Sequence, residues 1–167
     1  MIEPQLFRDI MAGFPSGVTV VTAFDHDGKP QGMTVSAFCS VSLDPPLVLV
    51  CIERSASARE PIQHRGGFSV NFLAAGEAPL SARFATRDID RFEGVAWSQP
   101  ETPHGGPLLD GVCVANIECR TTQAVEAGDH WVFVASVERG WRRPDGDPLL
   151  HWDRRYFRLG ERAASPG

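Results

Sequence analysis

Apolar and polar positions in this 167-residue chain hold a helical period only near the N-terminus and then read mostly as strands. Leu6, Ile10, Met11 and Phe14 recur at helical spacing. Pro4 suits the first helical position, where its missing N–H costs nothing, and Pro15 with Gly17 ends the pattern. Val18 to Phe24 is rich in β-branched residues and predicts a strand; Asp27-Gly28 marks a turn, and Gln31 to Phe38 predicts the next strand. Val41 to Leu43 leads to the Asp44-Pro45-Pro46 corner, where proline fixes φ and restricts its predecessor. Leu47 to Glu53 follows as a strand. Ser57 to His64 predicts a short helix, Phe68 to Leu73 a strand, and Ala78 to Phe84 and Asp88 to Phe92 two more short helices. Gln99 to Gly106 holds two prolines and two glycines and reads as a loop.

The clearest β signal comes next, where Val112, Val114 and Asn116 alternate with Cys113, Ala115 and Ile117. That strand is expected to run to about Glu126, turn at Gly128-Asp129 and return as His130 to Trp141. Pro144 to Asp147 is a turn and Leu149 to Leu159 a last strand. About seven strands with a few short helices predict a mainly β fold, a closed or nearly closed antiparallel barrel. Long helices do not alternate with the strands and no G-x-G-x-x-G occurs, which disfavours a Rossmann domain.

Length and composition suit one domain over residues 1–160, with a small polar tail at 161–167 expected to be disordered. Apolar residues make up 43% and charged residues 22%, ordinary for a soluble globular protein. The net charge of −5 gives no general attraction to nucleic acid or to an anionic membrane. Fifteen of the sixteen basic residues are arginines, seven of them between Arg139 and Arg162, which reads as a solvated strand face or a local anion-binding surface. The longest apolar run, Leu47 to Ile52, is six residues, too short to span a bilayer, and the N-terminus carries no signal-peptide pattern. Cys39, Cys51, Cys113 and Cys119 form no C-x-x-C pair and read as buried free thiols in a reducing compartment, which points to the cytoplasm.

The familiar catalytic signatures are missing from the sequence. No two of the five histidines have the spacing of a helical zinc site and no cysteine pair joins them, so no metal is expected. There is no G-x-S-x-G elbow, and the only lysine, Lys29, lies in a predicted turn. Composition and spacing alone stop at a soluble barrel of unassigned use.

Seven short segments in a fixed order move the argument further. They are Phe14 to Thr22, Gly32 to Phe38, Ser40 to Leu47, Phe68 to Leu73, Gly128 to His130, Pro148 to His151 and Tyr156 to Leu159. Together, over about residues 5–159, they resemble the short-chain flavin reductase family, the reductase components of two-component flavin monooxygenases. The resemblance implies a Greek-key-like FMN-binding split barrel assembled as a homodimer. It implies reduction of FMN or FAD by NADH or NADPH, with reduced flavin passing transiently to a separate monooxygenase. A non-catalytic FMN-binding protein is an alternative. So is another FMN-dependent oxidoreductase on the same barrel, such as a pyridoxamine-phosphate-oxidase-like protein or a ferric or cobalt reductase. FMN against FAD, and NADH against NADPH, stay open.

The resemblance also assigns residues. Met33, Thr34, Val35, Ser36 and Ala37 would line the isoalloxazine ring, the small side chains of Thr34, Ser36 and Ala37 letting it approach the backbone, and Ser40, Val41 and Ser42 would continue that wall. Arg54, Ser55, Ser57 and Arg59 are the phosphate candidates; Ser57 with Glu60 also reads as a capping box. Phe84 is either beside the flavin or in the core. His130 would place the nicotinamide, with Asp129 orienting the imidazole or stabilising the turn. Arg158 would contact a nucleotide phosphate, or serve packing or dimer contact. His151 stands where the family often has tyrosine, which weakens any role for it.

Overall fold

Hydrophobic alternation along the strands puts one face of a single long sheet inward, and that sheet wraps around its own core. The computed structural model describes residues 1–160, so the expected tail at 161–167 lies outside the described residues. In chain order the elements are α1 (Pro4–Ala12), β1 (Ser16–Gly17), β2 (Thr19–Phe24), β3 (Pro30–Val35), β4 (Phe38–Ser42), β5 (Leu47–Glu53), α2 (Arg59–Arg65), β6 (Gly67–Leu73), α3 (Ala78–Ala85), β7 (Trp97–Ser98), β8 (Leu108–Leu109), β9 (Cys113–Ala127), β10 (His130–Arg142), β11 (Leu150–Trp152) and β12 (Arg155–Phe157).

Seven strands pair antiparallel in the order β3-β2-β6-β9-β10-β5-β4. The two edge strands, β3 and β4, are consecutive in the chain. One core cluster takes Val21 and Val35 from one end of the sheet, Val50 and Ile52 from the other, and Phe68 and Phe133 from its middle. The sheet is therefore curled into a barrel that is open along one seam: the mainly β split barrel expected from the sequence. A second cluster, with Val20, Leu73, Phe84, Phe92 and Leu149, fills the space under α3.

The long loop before β9 is fastened by buried polar groups, since an unpaired one would be costly. The Asn71 amide reaches the Val20 and Pro107 carbonyls at 3.2 and 3.3 Å, and its Oδ1 accepts the Leu109 N–H at 2.9 Å. The buried Glu118 carboxylate accepts the N–H groups of Glu101 and Thr102 at 3.1 and 2.7 Å.

Several expected elements differ. Gln31 to Phe38 is not one strand: pairing stops at Ser36-Ala37, where the chain leaves β3, and the Ala37 carbonyl accepts the Cys51 N–H at 2.9 Å. Asp88 to Phe92 is not a helix. Asp88 has φ +60°, and Asp90 Oδ1 accepts the Phe92 N–H at 3.0 Å, a local side-chain bond that competes with helix formation. Leu149 to Leu159 splits into β11 and β12, because Asp153 and Arg154, at φ +47° and +60°, reverse the chain into a hairpin. The expectation of four buried thiols holds for Cys113 and Cys119, whose thiols burial pushes up to about 12. Cys39 is exposed and Cys51 half-buried, because they sit on edge strand β4 and on the outward positions of β5. Among the described residues no helix is long and apolar enough to cross a membrane.

Candidate functional site

Three segments far apart in sequence meet where β3, the turn after β5 and the C-terminal end of α3 converge. They enclose a cavity of about 410 Å³ whose wall includes Met33, Thr34, Ser55, Ser57, Arg87 and Arg91. A neighbouring cavity of about 390 Å³ shares Ser57, Asp88 and Arg91 with it.

Arg91 is the tie between the three segments. Its Nη1 donates to the Gly32 carbonyl at 2.7 Å and to Ser57 Oγ at 3.1 Å, and its Nε donates to the Thr86 carbonyl at 2.7 Å. Partial burial, with nearby Arg87, lowers its pKa, yet a guanidinium stays charged throughout the accessible range. Because Ser57 Oγ accepts from Arg91, its own hydroxyl proton is free for another acceptor.

Arg87 lies beside Glu53. Its Nη2 donates to Glu53 Oε2 at 2.8 Å, and the Ser55 hydroxyl donates to Glu53 Oε1 at 2.6 Å. The Ser55 hydroxyl, and after it Arg87, hold the Glu53 carboxyl below the usual carboxylate range. Two guanidiniums, Arg87 and Arg91, and two carboxylates, Glu53 and Asp88, thus line one small cavity.

The remaining expected residues divide. The Thr34 hydroxyl donates to the Ser81 carbonyl at 2.6 Å and ties β3 to α3. Val35 points into the core, and its carbonyl accepts the Thr19 hydroxyl at 2.6 Å, so its side chain is withdrawn from any ligand. Ser36 and Ala37 are exposed at the break between β3 and β4; Ser40 and Val41 are exposed on β4, and Ser42 is half-buried. Phe84 is fully buried, edge-on to Phe92 at 5.1 Å, so it belongs to the core, and it also forms part of the cavity wall.

Arg54 and Arg59 do not face the cavity. Arg54 pairs with Glu126 at 2.8 Å, and Arg59 donates to the Arg54 carbonyl at 3.0 Å and to Gln63 at 2.6 Å. The capping box is also absent. Helix α2 starts at Arg59 with Ala58 at its cap and no side-chain cap bond, since the Ser57 hydroxyl oxygen is turned to Arg91. Arg158 is exposed beyond β12 and lines neither cavity.

Gly128, at φ +62°, supplies the left-handed residue of the two-residue turn into β10. His130 opens that strand directly opposite Glu53. Its Nδ1 lies 2.7 Å from Asp129 Oδ1. An ionised carboxylate only accepts, so Nδ1 carries the proton and Nε2 is the nitrogen left for a ligand. The hydrogen bond to His130, more than its charge, holds the Asp129 carboxyl low. The Asp129 carbonyl also accepts the Arg54 N–H at 2.9 Å, joining this turn to the end of β5.

The structure thus brings together Met33, Thr34, Ser55, Ser57 and Phe84 and, through Glu53, sets His130 beside them. Sequence reasoning missed Glu53, Arg87 and Arg91. The available signal was Arg83, Arg87 and Arg91 at a spacing of four, running on from the end of the predicted Ala78 to Phe84 helix. A larger cavity of about 660 Å³, between β6, β9 and the Arg142–Pro148 turn, holds none of these residues. Asp25, His26 and Asp27 also cluster, but Asp25 already accepts the Asp27 and Lys29 N–H groups and serves its own turn.

The profile of the flavin reductase like domain matches residues 11–160. The chain belongs to the flavin reductase-like family. A flavin reductase (NADH) of Kitasatospora aureofaciens is 43% identical to it over 159 residues, which is 95% of this chain and 83% of the relative. The reductase subunit of a flavin-dependent monooxygenase from Rhodococcus jostii is 37% identical over 155 residues, 93% of this chain and 77% of the relative. A solved NADH:FAD oxidoreductase of Streptomyces globisporus, in complex with NAD and FAD fragments, superposes with a TM-score of 0.89 at 35% identity, covering 98% of this chain and 99% of that one. As a flavin reductase-like protein the chain is an oxidoreductase. Its cavity also suits a flavin nucleotide chemically: two guanidiniums and two serine hydroxyls are the donors a phosphate needs.

Proposed function

We propose that this protein transfers a hydride from NADH or NADPH to FMN or FAD and passes the reduced flavin to a separate monooxygenase. The observation that carries this reading is the meeting of Arg87, Arg91, Ser55 and Ser57 in one cavity, beside the β3 wall and next to the Asp129–His130 pair. The flavin ring lies along Met33 to Ala37, where backbone groups are accessible at the break after β3, with Ser40 to Ser42 continuing the wall. Its phosphate sits on Arg87, Arg91, Ser55 and Ser57; the part expected of Arg54 and Arg59 passes to the two loop arginines.

The flavin supplies the hydride-accepting N5, and the protein supplies binding, orientation and electrostatics. His130 holds the nicotinamide through Nε2, and Asp129 keeps the imidazole in that tautomer. The hydride goes directly to the acceptor, so no general base is needed. Replacing His130 with alanine is expected to lower kcat/KM for the nicotinamide about tenfold, the worth of one hydrogen bond to a positioned substrate. Flavin affinity should stay within about twofold of the parent protein. Steady-state rates unchanged in His130→Ala would remove that role.

The decisive assay crosses FMN and FAD with NADH and NADPH, with free flavin in excess. Turnover of the free flavin is expected. Binding of FMN without nicotinamide oxidation in any of the four combinations would make the chain a flavin-binding module. Reduction of bound FMN without turnover of free flavin would place it with the pyridoxamine-phosphate-oxidase-like proteins or the ferric and cobalt reductases.

The surface supports a homodimer. Helix α1 buries none of its residues, and Leu6, Phe7, Ile10 and Met11 remain about half exposed along it. Trp152, Tyr156 and Phe157 are exposed on the hairpin whose Trp152 Nε1 donates to the Gly13 carbonyl at 3.1 Å, just after that helix. Such an apolar area on one protomer favours a symmetric partner. Sedimentation at micromolar concentration should return twice the chain mass; a monomer would overturn this. The four free thiols fit a cytoplasmic setting.

A further inference from the structure

We propose that Glu53 sets the flavin preference of the cavity: its carboxylate engages the Arg87 guanidinium and the Ser55 hydroxyl, groups a phosphate would use, and so favours FAD, whose riboflavin-side phosphate carries one charge, over FMN, whose monoester carries nearly two. This rests on the reading of the cavity as the phosphate site.

The geometry is that of an internal stand-in for an anion. Both Glu53 oxygens are bonded, Oε2 to Arg87 at 2.8 Å and Oε1 to the Ser55 hydroxyl at 2.6 Å. Glu53 is the last residue of β5, with its backbone paired opposite His130, so it cannot leave the cavity with a loop movement. Its carboxyl is held below the usual range by the Ser55 hydroxyl and Arg87, which keeps it ionised at neutral pH. Arg91, by contrast, donates only to neutral oxygens, those of Gly32, Thr86 and Ser57, and feels the Asp88 carboxylate in the same cavity only through space. Of the two guanidiniums, one is therefore hydrogen-bonded to a carboxylate and one is not.

A phosphate monoester carries nearly two negative charges at neutral pH, because its second pKa is about 6. The corresponding phosphate in FAD is half of a pyrophosphate: it carries one charge, and the second charge lies one phosphorus further from the flavin. Bringing the monoester in sets a dianion beside Glu53 and forces it to give up Arg87. The singly charged phosphate of FAD can be held by Arg91 and the Ser57 hydroxyl, which leaves Glu53 its bonds to Arg87 and Ser55. Repulsion between like charges at such range, partly screened by solvent, changes affinity by about three- to tenfold.

The test measures dissociation constants for riboflavin, FMN and FAD by flavin fluorescence on the parent protein and on Glu53→Gln, Glu53→Ala and Arg91→Ala. The parent should bind FAD more tightly than FMN. Both Glu53 variants should tighten FMN about three- to tenfold, move FAD less, and leave riboflavin within about twofold. Glu53→Ala guards against a new amide donor as the cause. A parent preference for FMN, or an FMN-to-FAD ratio unmoved in both Glu53 variants, would overturn the proposal while leaving the cavity reading intact. Failure of the cavity reading shows separately: Arg91→Ala would then bind all three flavins as the parent does.

Discussion

Replacing Arg91 with alanine is expected to raise the dissociation constant for FMN and FAD by about 10- to 100-fold, the value of losing charge-assisted hydrogen bonds to a ligand. Riboflavin, which has no phosphate, should lose less. The same change removes the donor to the Gly32 and Thr86 carbonyls and to Ser57 Oγ. Stability should therefore fall as well, by about 1–3 kcal/mol. Flavin fluorescence titration and urea unfolding separate the two effects. Arg91→Lys keeps the charge but not the planar fork, so it cannot reach all three oxygens at once. It should recover part of the phosphate affinity and little of the stability. An Arg91→Ala protein that binds flavin nucleotides and unfolds as the parent does would remove Arg91 from both roles.

Replacing Gly106 with alanine is expected to lower stability by about 4 kcal/mol or more, among the largest effects a single substitution gives. A Cβ at this position would stand 2.1 Å from the Thr22 carbonyl oxygen and 2.6 Å from the Ala23 nitrogen. Those are backbone atoms of β2, which is paired on both sides and cannot retreat. Gly106 is also locked in place by Ser69, whose hydroxyl oxygen accepts the Gly106 N–H at 3.0 Å and whose hydroxyl donates to the Gly106 carbonyl at 2.9 Å. For a chain of this size the loss corresponds to a fall in Tm of about 8–16 °C. Thermal unfolding followed by circular dichroism checks it, and a Tm within about 2 °C of the parent would show that the loop before β9 can shift away from the sheet.

The two substitutions mark the limits of what sequence pattern conveys. Gly106 lies in a stretch that reads only as a proline- and glycine-containing loop. Nothing local says that its lack of a side chain is needed for contact with a strand more than eighty residues away. Strands β2, β5, β6, β9 and β10 were legible, because alternating or continuous apolar runs record which face is buried. The Gly128-Asp129 turn and the histidine after it were legible as local chemistry. The break at Ser36-Ala37 was not, since its small polar and apolar residues pair equally well in a strand and the interruption comes from where the barrel must open. Asp88 to Phe92 read as a short helix. Phe92 is instead drawn into the core beside Phe84, and the aspartates bond their own backbone.

By itself the sequence determined the mainly β class, the turn that carries Asp129 and His130, and the ordered segments of a flavin reductase-like chain. These depend on local periodicity, turn chemistry and motif order, all contained in short windows. Only the tertiary structure decided which arginines reach the cavity. Arg54 is sequestered by Glu126, 72 residues away, whereas Arg91 reaches the Gly32 carbonyl across 59 residues. A guanidinium on a long flexible stem takes whichever acceptors folding brings near it, and that choice is written in no neighbouring residue.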